Sequence, residues 1–353
     1  MRKIKRGRRR ARRLIPKRRS RIPWIPVTIL SILLIAIGSA ALLDSRRDRE
    51  EETEFVDYAR SRQGDPIRMI VSAGRRHQMI FLGDLPSGST PKRIAADAIE
   101  ALVHGPGLDA VVLEIGADLQ DRIDLYLETE PEDPGLLLAE PRIVHGHWGA
   151  SDEYLEIFRR VWRLNRALEP GRRIRILAAD LPGWPPDPKM SPQEALAQYA
   201  ERDAYMTERI EAHILAGNPR ARLLIFMDGY HGLKSGQAEL QTGAGSPVPI
   251  IWLGTRLAHL HPGEVYTIIV DGTVRDPTRG PVIRYTASNA YDILRKHLPE
   301  TTRPFALDIG EDFDFLRTPM RTATMPGLDM RIRPTNYRLR DVADGYIFLG
   351  NNR

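Results

Sequence analysis

Four apolar runs, far apart in the chain, end in the same way. His77–Gly83 leads into Asp84, Ala110–Leu113 into Glu114, Ile174–Ala179 into Asp180, and Leu223–Met227 into Asp228-Gly229-Tyr230-His231. Short runs that stay apolar instead of alternating suit strands buried on both faces. The strand candidates are His77–Leu82, Ala110–Ile115, Arg173–Ala179, Arg222–Met227, Val265–Val270 and Tyr346–Leu349. Helical patterns fall at Pro91–Val103, Ser151–Leu168, Pro192–Ala216, Ile250–Leu260 and Asn289–His297. Strand and helix in alternation predict an α/β fold: a mostly parallel central sheet with helices on both faces. In such a sheet the carboxyl ends share one edge, and ligands bind in the crevice outside it. Asp84, Glu114, Asp180, Asp228 and His231 are therefore candidates for one cleft. A single acid at a strand end is often a turn former, but a fourfold recurrence points to a shared site.

One helix is sharply marked. Ser191-Pro192-Gln193-Glu194 reads as a capping box with proline at the first helical position, and Gly217-Asn218-Pro219 closes the helix. Its apolar stripe is Leu196, Tyr199, Met206, Ile210 and Ile214, and Asp203 falls on it. A carboxylate facing a core is costly unless paired. Asp203 is either half of a structural ion pair, for example with an arginine, or an acid aimed at the cleft. Residues 130–149 and 181–190 are rich in proline and glycine and read as inserted loops.

Phe81-Leu82-Gly83-Asp84, a helix, then Val112-Leu113-Glu114 resembles the opening of the erythromycin-esterase/ChaN-like (Tiki) superfamily. There an apolar strand ends in Gly-Glu-x-His and the next strand ends in Glu. Arg202-Asp203-Ala204-Tyr205-Met206 resembles the Arg-Asp-x-x-Met helix of that group. Ile225-Phe226-Met227-Asp228-Gly229-Tyr230-His231 is similar to its strand ending in Gly-x-His, and Trp252–Leu257 and Asp344–Phe348 follow its C-terminal pattern. The resemblance spans residues 77–349 and implies a polar cleft over the sheet. Members include macrolide esterases, metal-dependent peptidases and haem- or iron-binding lipoproteins. By position, Asp84 stands for the first acid, Glu114 for the second and His231 for the late histidine, with Arg202 and Asp203 as orienting groups. The departures are specific. Asp84 is one methylene shorter than Glu, and Pro86 occupies the place of the motif histidine, where it offers no base. Ser87 or Ser89 is a conceivable nucleophile without a base beside it in sequence, and Ser89 or Thr90 reads better as the cap of the helix opening at Pro91.

Haem or a divalent metal is the other option the resemblance implies. Tyr230 and His231 are residue types that serve as axial haem ligands. His145-Gly146-His147 could share a metal if the chain is extended there. His259-Leu260-His261 is weaker, because histidine simply suits a helix end. Glu311-Asp312-Phe313-Asp314 reads as a solvated turn.

The N-terminus is a different kind of sequence. Residues 1–21 hold thirteen Arg or Lys and no acid, and 22–43 hold no charge at all. About twenty apolar residues span a bilayer core, and bases on one flank keep that flank cytoplasmic. A single-pass transmembrane helix over 22–43 is expected, with a basic cytoplasmic tail before it. After it come a linker over 44–66 and an extracytoplasmic domain over 67–353. A cleaved signal peptide is the alternative, though the apolar run is long for one. Without the tail, 39 bases face 46 acids, so the body is mildly acidic and no nucleic-acid partner is expected. The chain has no cysteine, which excludes thiol chemistry and disulfides. The partners expected are the inner-membrane bilayer and a membrane protein. With Pro86 in the base position, the sequence favours a binding or scaffolding module, such as an accessory subunit of a membrane complex or a small-ligand binder. The alternative is a hydrolase using Asp84, Glu114 and His231.

Overall fold

The computed structural model describes residues 49–85, 88–144, 152–185, 187, 189–243, 245–276, 280–284, 290–310, 317–319, 323–325, 328–333 and 336–351. The chain divides into two units, 1–50 and 51–353, and the second holds every strand among the described residues. The expected membrane span and basic tail lie outside the described residues. Among the described residues no helix is long and apolar enough to cross a membrane.

The strands are β1 (Met79–Asp84), β2 (Ala110–Gly116), β3 (Arg175–Asp180), β4 (Leu223–Asp228), β5 (Gln237–Gln241), β6 (Val248–Ile251), β7 (Val265–Asp276), β8 (Gly280–Arg284), β9 (Phe305–Asp308), β10 (Arg317–Pro319), β11 (Ala323–Met325), β12 (Leu328–Arg333), β13 (Asn336–Arg338) and β14 (Gly345–Phe348). The central sheet runs β3-β2-β4-β1-β7-β14-β9, with β8 paired to the far end of β7. All neighbours in it are parallel except β9, which runs antiparallel to β14, and β8, antiparallel to β7. Strands β11-β12-β5-β6 form a separate antiparallel sheet.

The helices are α1 (49–62), α2 (Pro66–Arg76), α3 (Ser89–His104), α4 (Gln120–Glu128), α5 (Gly135–Leu138), α6 (Pro141–Val144), α7 (Asp152–Ala167), α8 (Pro192–Ile210), α9 (Leu253–Leu260), α10 (Ala290–His297) and α11 (Leu339–Val342). Alternate strand residues point to opposite faces, and both faces are covered. Ile80, Leu82, Val111, Leu113, Leu224 and Phe226 pack with α2, α3 and α7. Met79, Phe81, Val112, Ile225 and Met227 pack with α8 and α9, and Tyr346 and Phe348 with α1 and α10. The expected two-sided parallel architecture is present.

Both sheet edges are blunted, as exposed edges invite mispairing. At β3 the Gln120 side chain acts as a strand surrogate, donating to Ile176 O at 2.8 Å and accepting from Ala178 N at 2.9 Å. At β9, Gly64 and Ala306 exchange two backbone hydrogen bonds of 2.9 Å.

Three boundaries differ from expectation. Residues 44–66 are not simply a linker: 49–62 are helical, and Phe55, Val56 and Ala59 are buried in the core. Three apolar residues among the eight acids of 44–66 are too short a stripe to stand out. The insert at 130–149 contains α5 and α6, which bury Leu137 and Ile143. Ile250 belongs to strand β6, and the helix after it starts only at Leu253.

Phe55 tests the first correction. Truncating a fully buried phenylalanine costs about 3–5 kcal/mol, whereas a change in a free linker stays within about 0.5 kcal/mol. Phe55→Ala is expected to lower the denaturant midpoint of the full-length protein by the larger amount, with the slope unchanged.

Candidate functional site

The order β3-β2-β4-β1 sets Asp180, Glu114, Asp228 and Asp84 side by side along the carboxyl edge, and Asp84 is in direct register with Asp228. Neighbouring strands are about 4.8 Å apart, so these acids share one rim. The β2–β3 register shifts between Leu113 and Gly116, and such irregularities re-aim side chains at sheet ends.

Helix α8 supplies the counter-charge. Its Ser191–Glu194 capping box forms as read, with Pro192 opening the helix. Arg202 and Asp203 are successive residues, so they leave the helix about 100° apart and serve different partners. Arg202 Nε donates to Asp180 Oδ1 at 3.1 Å, and Nη2 donates to Asp180 Oδ2 and to Glu114 Oε1 at 2.5 Å each. The Trp184 ring centroid lies 3.6 Å from the guanidinium carbon, a cation–π contact on the remaining face. Burial pulls Arg202 down, but Asp180 and Glu114 more than offset it, so its pKa rises above the usual arginine value. Burial raises Asp180 despite Arg202.

Asp203 pairs with a histidine rather than an arginine. Its Oδ1 accepts from His231 Nδ1 at 2.8 Å and from Leu253 N, the first residue of α9, at 2.7 Å. His231 sits in a 3₁₀ turn, Gly229–Gly232, whose start is fixed by Asp228 accepting from Tyr230 N at 3.0 Å. The turn is wedged against β1: a Cβ on Gly232 would lie 2.3 Å from the Phe81 ring. Gly254 at the start of α9 has the same role, since its Cβ would meet Gly232 O at 2.3 Å. Thr267 Oγ1 donates to that same oxygen at 2.8 Å. Burial lowers the His231 pKa, but Asp203 and Glu114 together outweigh burial and Arg202 and lift it to about 9. The ring is therefore an imidazolium at neutral pH. Its Nε2 faces Glu114 Oε1 at 3.9 Å, and Glu114 Oε2 accepts from Asp228 N at 3.0 Å.

Asp84 is on the same rim but engaged elsewhere. Lys92 Nζ donates to its two oxygens at 2.9 and 3.0 Å. Burial raises Asp84 to about 6, with Lys92 pulling the other way. The cap of α3 is Gly88, not Ser89 or Thr90, and it makes no side-chain cap bond.

Two participants are not among the residues the sequence points to. Lys92 lies on the i, i+3, i+4, i+7 stripe with Ala95, Ala96 and Ile99, and a lysine there is a readable anomaly. Tyr154 on α7 lies close enough to the rim that, after burial, Asp84 and Glu114 help to push its phenol well above the ordinary tyrosine range. No sequence pattern near Tyr154 announces this.

The residues do not fit a haem. An axial ligand needs a free nitrogen facing open space, whereas His231 is 6% exposed and its Nε2 faces a carboxylate 3.9 Å away. Tyr230 stacks on Trp252 with ring centroids 6.0 Å apart. Among the described residues no group of three or more His, Asp or Glu side chains is placed to hold a metal. His145 and His147 lie outside the described residues.

The His231 pair predicts a pH signature. An imidazole raised from 6.5 to about 9 adds stability that is complete below pH 6.5 and is lost as pH rises through 9. The change is at most about 3 kcal/mol. Denaturant midpoints of the wild type are expected to fall across this window, and Asp203→Asn to flatten the fall. A midpoint flat in both proteins would contradict the pairing.

No family model matches the chain, and no curated protein matches it. Solved structures do. One from Bacillus cereus aligns with a TM-score of 0.58 at 12% identity, covering 84% of this chain and 97% of that one. A succinoglycan biosynthesis protein aligns at 0.57 and 12% identity, covering 84% and 96%. A histidine-to-asparagine mutant of the erythromycin esterase EreC, in its open conformation, aligns at 0.48 and 10% identity, covering 80% and 93%. At these identities the first two alignments show a shared fold alone.

Proposed function

We propose that this protein is a membrane-tethered, extracytoplasmic binding module in which a hydrolase-like cleft has turned from activating water to recognising a partner or small polar ligand. Its role is that of an accessory subunit beside a membrane protein. The observation that carries this reading is the state of the first acid: Asp84 is closed into a buried pair with Lys92, and Pro86 stands where the resembling family has its base. A general base must be unprotonated and within reach of the proton it takes. Lys92 directs its protons at fixed acceptors, and His231 is already charged at neutral pH. What supports recognition chemistry at the rim is the imidazolium N–H of His231 beside the Glu114 carboxylate. The basic tail and uncharged segment in the sequence support the tether.

One feature favours the hydrolase reading. The 3.9 Å between His231 Nε2 and Glu114 Oε1 is a span that one water can bridge. Such a water would be oriented by the Asp203-held imidazole.

One experiment separates the two readings. The full-length protein, extracted gently from its own membrane, is compared with His231→Ala and with a chain lacking residues 1–43. Binding predicts a stoichiometric membrane-protein companion that is weakened in His231→Ala and lost with the N-terminal segment. It also predicts ester and peptide hydrolysis no faster than buffer. Hydrolysis that disappears in His231→Ala, typically by about 10²–10⁴-fold, would overturn the binding reading.

A further inference from the structure

The Lys92 ammonium is held by more than an ion pair. Besides the two Asp84 oxygens at 2.9 and 3.0 Å, it donates to Leu85 O at 3.2 Å and Gly88 O at 3.0 Å. An ammonium has three protons and no lone pair, so four oxygens consume its whole capacity. The lysine is 3% exposed, on a helix whose Ile94, Ala95, Ala96 and Ile99 are buried too. Asp84 is also fixed from the backbone side, accepting from Leu85 N at 2.8 Å, and Leu85 O accepts from Gly88 N at 3.1 Å.

One carboxylate and two carbonyls converging on a point are the ligands of a hard cation. The four oxygens stand at 2.9–3.2 Å from the nitrogen, the ordinary N–H···O range, so they accept an ammonium without strain.

We propose that Asp84, the Leu85 carbonyl and the Gly88 carbonyl form an oxygen cage for a monovalent ammonium-type cation, and that Lys92 supplies this cation from within the chain. Lys92 is then a positioning residue. It holds Asp84 and the start of α3 in place, and it occupies the first acid of the rim so that no exchangeable ion is needed there. The cage is defined by these contacts alone and stands whether the cleft binds or hydrolyses.

The test is chemical rescue in the full-length protein. Lys92→Ala removes three carbons and the nitrogen, which propylammonium replaces. The variant is expected to lose stability, with its folding constant down by about a hundredfold or more, as when one member of a buried pair is removed. Propylammonium chloride should restore at least half of the lost denaturant midpoint. The gain should rise with the logarithm of amine concentration, as for a bound ligand. Equal sodium chloride and equal 1-propanol should restore little, and the wild type should not respond. Rescue by sodium chloride or propanol to the same extent, or an equal response in the wild type, would overturn the cage. If Lys92→Ala does not fold, Lys92→Met keeps the apolar stem and removes only the charge. It should be destabilised at pH 8 and recover when combined with Asp84→Asn. Lys92→Met as stable as the wild type at pH 8 would show that the oxygens require no cation, and the proposal would fail.

Discussion

Four acids on adjacent strand tips are a liability unless something holds their charge. Two like charges about 5 Å apart repel by about 3 kcal/mol at the effective dielectric of a protein surface. The guanidinium of Arg202 resolves this for half of the rim, bonding Asp180 and Glu114 at once from a position that is 4% exposed. Arginine suits this place where lysine would not, because its planar fork meets two carboxylates while its face stays free for Trp184. Helix α8 must therefore sit in one rotation and one register over the sheet. Its capping box fixes where the helix begins, and its packing on β3 fixes which residue reaches the rim.

That placement decides the next residue as well. Once Arg202 points at β2 and β3, Asp203 is turned toward the 229–232 turn and α9, where it ties His231 and Leu253 together. A single carboxylate thus joins three elements: α8, the turn after β4, and the first turn of α9. The glycines at 232 and 254 let those elements approach closely enough for the bonds to form. The geometry of the imidazole follows from packing, and its charge follows from the carboxylates packed around it.

Much of this is legible in the sequence because strands buried on both faces announce themselves as unbroken apolar runs. The acid at the end of each run then names the rim without any contact information. Asp203 is visible as a carboxylate on an apolar stripe, but its partner is not, since His231 is 28 residues away and joins it only through the fold. Lys92 is visible as a lysine on the apolar stripe of α3, but its partner Asp84 is not, and nothing in α7 marks Tyr154 as a phenol that feels the acids of the rim. Helix α1 is hidden for the opposite reason: its buried face is Phe55, Val56 and Ala59, and the charges around them dominate the local pattern. Local periodicity reports which face is buried, not which long-range partner neutralises a buried charge.

The two halves of the rim end in the same electrostatic condition by different routes. At β1, burial raises the acid and Lys92 pulls it back, which leaves Asp84 at about 6. At β4, Asp203 and Glu114 keep a histidine charged to about pH 9 although burial alone would discharge it. A general base works best with a pKa near the ambient pH; His231 is held above it, and Asp84 is near it but closed against Lys92. An imidazolium fixed by a carboxylate on one nitrogen is instead a rigid, directional donor on the other. The same carboxylates that keep the imidazole charged also fix its orientation, so charge and geometry at this end of the rim have one origin.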